Sequence, residues 1–127
     1  MNRAVTSPRV HEPFGRYSIA VESNGMLFMS GQGPFDKDKR LVGDTIDSQA
    51  KQTLDNVKFI LEDNGYSLAD VVKVTVYLED IGLWAAFNEV YASYFTTEPL
   101  PARTVVGCSL NGMLVELDCI VVKSTGM

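Results

Sequence analysis

Hydrophobic and polar positions alternate through residues 17–23 and 26–30, on either side of Asn24-Gly25. Asn-Gly is the pair that most readily adopts the positive φ angles of a two-residue type I′ turn, so a β-hairpin is predicted here. Pairing Ser23 with Met26 puts Tyr17, Ile19, Val21, Met26, Phe28 and Ser30 on one face, with Ser18, Ala20, Leu27 and Met29 on the other. Residues 31–43, with Pro34 and a run of charges, have the chemistry of a loop with further turns. From 47 to 64 the period changes: Ala50, Leu54, Val57 and Leu61 recur at steps of four, three and four, the stripe of a helix that covers a core. Thr45 or Asp47 can cap its start, and Gly65 can supply the left-handed residue that ends it. A strand follows at 71–78, where Val72, Val74, Val76 and Leu78 alternate with Lys73, Thr75 and Tyr77. Trp84, Phe87, Val90, Tyr91 and Tyr94 mark a second helix over 82–95, with Asp80 as its cap.

Pro99 and Pro101 hold the next connection extended and deliver Arg103 to the start of a strand. Residues 103–110 and 113–123 flank Asn111-Gly112, which predicts a second tight hairpin. The predicted order is two strands, helix, strand, helix, two strands. In this hairpin Leu110 pairs with Met113, and the register separates two faces. One carries Thr104, Val106, Cys108, Leu110, Met113, Val115, Leu117, Cys119 and Val121, suited to packing under two helices. The other carries Arg103, Val105, Gly107, Ser109, Leu114, Glu116, Asp118 and Ile120. Two helices cover only one face, and this second face is too apolar to be left in water, so another subunit is expected to cover it through Val105, Leu114 and Ile120.

Composition narrows the class. A chain of 127 residues with 46% hydrophobic and 21% charged residues fits a single folded domain spanning 1–127. No run approaches the length of a membrane span, and residues 1–12 lack the apolar centre of a signal peptide, so a cytosolic protein without a membrane partner is expected. Cys108 and Cys119 lack the short paired spacing of a disulfide framework or zinc site and are read as buried thiols. His11 is the only histidine, which leaves imidazole metal clusters and a Ser-His-Asp triad short of parts. Its place near a terminus, expected to be flexible, argues against a role. The net charge of −5 argues against nucleic acid as the main partner.

On the predicted faces Arg103 and Glu116 lie together, four strand positions or roughly 13 Å apart along the backbone. Arginine suits a substrate carboxylate because its planar fork donates two parallel hydrogen bonds, and a partly enclosed glutamate orients or deprotonates water. The same two residues, with or without Asp118, also read as a structural ion pair across the sheet. Spacing alone favours the ion pair, since most charged pairs carry no chemistry.

Several segments in order resemble one family. Gly15-Arg16-Tyr17-Ser18, Met29-Ser30-Gly31-Gln32, the stretch 49–61, the strand from Val71 to Asp80, Phe87-Asn88-Glu89-Val90-Tyr91 and Pro101-Ala102-Arg103-Thr104 are similar to successive landmarks of the RidA (YjgF-like) family. The resemblance implies an α+β, chorismate-mutase-like protomer, a mixed sheet with two helices on one face. It further implies a homotrimer with active sites between subunits, no cofactor, and hydrolysis of reactive enamines and imines of small carboxylic acids. Carried over by position, Arg103 binds the carboxylate and Glu116 positions water, while Tyr17, Ser30, Gly31 and Asn88 match other pocket positions. Each of these four has a structural reading as well: interface aromatic, strand-end hydroxyl, backbone requirement and helix-surface amide. The chain departs from the best-known members at Arg16 for proline, Ile19 for glutamine and Val105 for cysteine, and residues 107–112 replace a longer segment. The predicted substrates are 2-iminopropanoate and 2-iminobutanoate. The alternatives are a larger enamine such as 2-aminomuconate, a non-catalytic keto-acid sensor, or a translation-inhibiting ribonuclease, the last disfavoured by the acidic charge.

Overall fold

A computed structural model of the chain describes residues 1–123. Its strands are β1 (Arg3–Val5), β2 (Ala20–Ser23), β3 (Met26–Gln32), β4 (Val71–Leu78), β5 (Ala102–Gly107) and β6 (Val115–Val122), and its helices α1 (Ile46–Asp63) and α2 (Trp84–Tyr94). The six strands form one sheet in the order β1-β2-β3-β6-β4-β5, with β4 and β5 parallel and every other pair antiparallel. The helices and the sheet share one core. Leu54, Val57 and Leu61 of α1 and Phe87 of α2 are fully buried, as are Leu27, Val74, Val76 and Leu117 from the strands. This is the α+β layer architecture expected, a mixed sheet with two helices on one face. Among the described residues, no helix is long and apolar enough to cross a membrane.

The first hairpin forms as its turn pair dictates. Asn24 and Gly25 have φ of 51° and 77°, and Ser23 pairs with Met26. Its first strand begins at Ala20 rather than Tyr17, so Tyr17 lies in a bend before the strand and the alternation does not extend to it. The N-terminal β1 was not foreseen. It adds an edge beside β2, and the following segment is fastened to the end of α1 where Arg9 meets Asp63 at 2.7 Å. His11 is correspondingly not at a loose end: it is buried, its ring centroid 4.7 Å from Phe14 and 6.1 Å from Phe35.

Both helices start near the expected residues. Thr45 caps α1 in a box with Ser48, each side chain accepting from the other residue's backbone N–H, and Gly65 follows the helix at φ 82°. Asp80 caps a 3-10 turn, Ile81–Leu83, that leads into α2. In β4 the alternation holds from Val74 onward, but an irregularity between Val71 and Lys73 buries Val71 and leaves Val72 exposed.

The second hairpin does not form. Strand β4 sits between β5 and β6, pairing with β5 in parallel and β6 in antiparallel register. β4, α2 and β5 make a parallel crossover, and the chain then passes over the end of β4 to return as β6. Gly112 does adopt positive φ, 83°, but within a longer connection. That connection is tied down by Cys108 N–H to the Leu78 carbonyl at 2.9 Å, Glu79 N–H to the Leu114 carbonyl at 3.0 Å, and Leu110 N–H to the Glu79 carboxylate. Replacing the two-residue turn by this arch changes the parity of β5 relative to β6. A one-residue slip turns every side chain over. Val74 pairs with both Arg103 and Cys119, so Arg103 and Val105 face the helices, while Thr104 and Val106 share the open face with Glu116 and Asp118. Val105 and Leu114, expected on the open face, pack partly against the core; Ile120 does lie on the open face, beside Phe28. Cys119 is buried as expected, whereas Cys108 is partly exposed.

Candidate active site

Glu116 stands on β6 opposite Tyr77 of β4, on the face away from the helices. On its other flank β3 carries a bulge. Met29 pairs with Cys119 and Gln32 with Leu117, so Ser30 and Gly31 together oppose the single residue Asp118. Met29 and Gln32 are both buried, and the extra residue between them turns this stretch toward the open face. The Ser30 hydroxyl donates to the Ser18 carbonyl at 2.6 Å and its N–H to the Ile19 carbonyl at 2.9 Å, which holds the segment carrying Tyr17 alongside. Tyr17, Ser30, Gly31 and Glu116 thus line one open cleft of about 340 Å³.

Gly31 is a steric requirement of that cleft. A Cβ there would lie 2.9 Å from the Glu116 carboxyl carbon and 3.2 Å from its Cγ, so only a bare backbone lets the carboxyl rest where it does. Burial, reinforced by the neighbouring Asp118 charge, pushes the Glu116 carboxyl above the usual glutamate range. The fold therefore disfavours its charged form. Any stability this contributes is present at low pH and lost as pH rises through the folded value. Gly31→Ala is expected to displace the Glu116 side chain from its place in the cleft. The thermal midpoint should change little, since a half-buried glutamate can swing aside; the carboxyl carbon-13 shift of Glu116 and circular dichroism check the two parts.

Arg103 occupies a different cluster. On the edge strand β5 it points under α2, where its guanidinium donates to Asn88 Oδ1 at 2.7 Å and lies 4.7 Å over the Tyr91 ring. Tyr91 in turn stacks on Phe95 at 4.5 Å. These residues, with Leu100 and Pro101, line a second cavity of about 310 Å³. Burial pushes the Tyr91 phenol up to about 12, the nearby guanidinium opposing it. Among the described residues no carboxylate forms an ion pair with Arg103. Its neutral partner fixes the fork and leaves the charge free for an anion.

With both clusters in view, the comparisons are specific. The sequence model of the family described as Endoribonuclease L-PSP matches residues 8–123. The chain belongs to this family, the RidA (YjgF-like) family. It is 43% identical over 126 residues to a RutC family protein of Pyrococcus horikoshii, covering 97% of this chain and 99% of that one. The structure of a conserved Rid family protein from Yersinia pestis matches with a TM-score of 0.92 at 32% identity, over 96% of this chain and 99% of that chain. RidA from the Antarctic bacterium Psychrobacter matches at 0.88 and 33%, over 94% of this chain and 98% of that chain.

In this RidA-family chain the six residues singled out from sequence fall into two groups. Tyr17, Ser30, Gly31 and Glu116 come together, and Asn88 meets Arg103. Arg103 and Glu116 do not share a face: the expected common face, and with it the ion pair between them within one protomer, is corrected by the insertion of β4 between their strands. Two aromatic members were not anticipated as site residues. Tyr91 follows Asn88 by three positions on α2 and so shares its helix face, a signal present in the sequence. Tyr77 neighbours Glu116 only through the β4–β6 register, which no local pattern reveals.

Proposed function

We propose that this protein hydrolyses imines and enamines of small carboxylic acids to 2-keto acids and ammonia, in sites completed by two subunits of a homotrimer. The observation that carries the reading is the pair of unfinished half-sites: a half-buried glutamate with raised pKa on the open sheet face, and at the sheet edge an aromatic-backed arginine held by Asn88 that has no ion-pair partner among the described residues. A carboxylate anchor and a proton-transferring carboxyl are the two groups that imine hydrolysis of such a substrate needs. The open face also exposes Phe28 and Val106, apolar surface that a neighbouring subunit would cover. When a second subunit brings its arginine cluster to this face, Arg103 of one protomer anchors the substrate carboxylate beside Glu116 of the other. Water adds to the imine carbon, the proton balance passes through Glu116, and ammonia leaves from the tetrahedral carbinolamine. Tyr17 and Ser30 wall the pocket. No cofactor enters this chemistry.

The test is ammonia release from 2-iminopropanoate and 2-iminobutanoate generated in situ by a dehydratase. Acceleration over the buffer reaction is expected; its absence refutes these substrates. A wider panel that includes 2-aminomuconate then separates a catabolic deaminase from a keto-acid sensor, which would bind ligand without releasing ammonia. Solution mass is expected to be three times that of the chain, and a stable monomer at micromolar concentration would remove the composite site.

A further inference from the structure

Glu116 has company on the open face. Asp118 lies two residues further along β6 and so points the same way, opposite Thr75. Tyr77 pairs with Glu116 but reaches diagonally, its hydroxyl donating to Asp118 Oδ2 at 3.1 Å, a span that cross-strand aromatics readily bridge. The remaining groups facing this array are few. Tyr17 comes from the bend before β2, Ser30 and Gly31 from the β3 bulge, Lys73 from β4, whose ammonium is turned to Thr104 Oγ1 of β5 at 2.8 Å, and Cys108 from the residue after β5, near enough to act on the Tyr77 phenol. Among the described residues no cation pairs with either carboxylate. Two acids therefore sit side by side on a half-buried surface, one tied by a phenol and one lodged against bare backbone.

We propose that Asp118, oriented by the Tyr77 hydroxyl, is a positioning residue that holds Glu116 in its acid form as substrate enters. This deepens the hydrolytic reading above and rests on it. A proton from the Glu116 carboxyl to the imine nitrogen makes the carbon electrophilic, and the resulting carboxylate takes a proton from the attacking water. The regenerated acid then protonates the carbinolamine nitrogen; as ammonia departs and the hydroxyl becomes the keto oxygen, the hydroxyl proton returns to Glu116. The cycle begins and ends with protonated Glu116, a form that burial favours and that the neighbouring Asp118 charge favours further. Asp118 itself touches neither substrate nor water in this sequence.

The experiment is a carbon-13 NMR titration of glutamate-labelled protein, the Glu116 resonance identified by its loss in Glu116→Gln, run beside a pH profile of kcat/KM. Asp118→Asn keeps size and the Tyr77 hydrogen bond but removes the charge; the Glu116 midpoint is expected to fall toward the ordinary glutamate range, and the alkaline limb of the profile to move to lower pH by the same interval. Tyr77→Phe is expected to move both part of the way and serves as the test if Asp118→Asn does not fold. An unmoved Glu116 midpoint in an active protein overturns the role of Asp118 alone, and a midpoint that falls without the limb following overturns Glu116 as the acid. A wild-type protein inactive on every imine refutes the hydrolytic reading instead, while the midpoints still decide whether the two carboxylates are coupled.

Discussion

Arg103→Ala is expected to reduce imine hydrolysis to the buffer rate while leaving the protomer folded. The guanidinium is fixed from two sides, by Asn88 Oδ1 at 2.7 Å and by the Tyr91 ring beneath it at 4.7 Å, so its fork is aimed before any ligand arrives. Losing a hydrogen bond to a charged partner costs about 1.5–3 kcal/mol, and a bidentate contact comprises two, so keto-acid affinity should fall on the order of 10²-fold or more. Turnover suffers further, because an unanchored substrate no longer presents its imine carbon to Glu116. Arg103→Lys is not expected to rescue, since a point charge on a flexible stem neither makes the two-pronged contact nor stacks on Tyr91 in the same way. Calorimetry with 2-ketobutyrate and the ammonia assay read the two effects separately. Affinity retained in Arg103→Ala would show that carboxylates bind elsewhere.

The contrast between the two Asn-Gly turns explains which parts of this fold were legible in sequence. At Asn24-Gly25 the strands that flank the turn are also neighbours in the sheet, so local chemistry determines both turn and register. At Asn111-Gly112 the same dipeptide only bends a connection, because β4, some thirty residues earlier, occupies the place between the flanking strands. Nothing within the segment 103–123 records that insertion. The stripe of α1 and the alternation of β6 were readable for the opposite reason, each burying a face against one shared core. Val115, Leu117, Cys119 and Val121 are buried in the expected alternation. The site inherited the same division. The face of Glu116 is legible from the parity of its own strand, whereas the face of Arg103 depends on β4, the strand beside it, which the two-residue turn expected at Asn111-Gly112 leaves out. Gly31 shows a third case, its requirement coming from a carboxyl eighty-five positions away that meets it only across a bulged strand pair.

With Arg103 and Glu116 on opposite faces of the sheet, a composite site has an expected result that a site built within one subunit forbids. Arg103→Ala and Glu116→Gln should each be nearly inactive alone, yet co-expressed they should recover activity. Glu116→Gln preserves size and removes the carboxylate, so it is expected to depress turnover far more than keto-acid binding, as for a group used chiefly in the transition state. If each site takes Arg103 from one subunit and Glu116 from its neighbour, a trimer of mixed variants contains interfaces where an intact arginine meets an intact glutamate. With equal expression and random assembly in a ring, about a quarter of all interfaces are of that kind, and activity should return to about that fraction of wild type. Were both residues supplied by one protomer, every site in the mixture would carry a lesion and nothing would be recovered. Purifying the mixture through two different affinity tags, one on each variant, restricts the assay to mixed trimers and raises the expected fraction to about a third, since any ring holding both kinds has one productive junction among its three. Absence of recovery in doubly purified protein would require the carboxylate anchor and the proton-transferring group to be sought on a single face, with Asp118 and Lys73 the first charged groups to examine there.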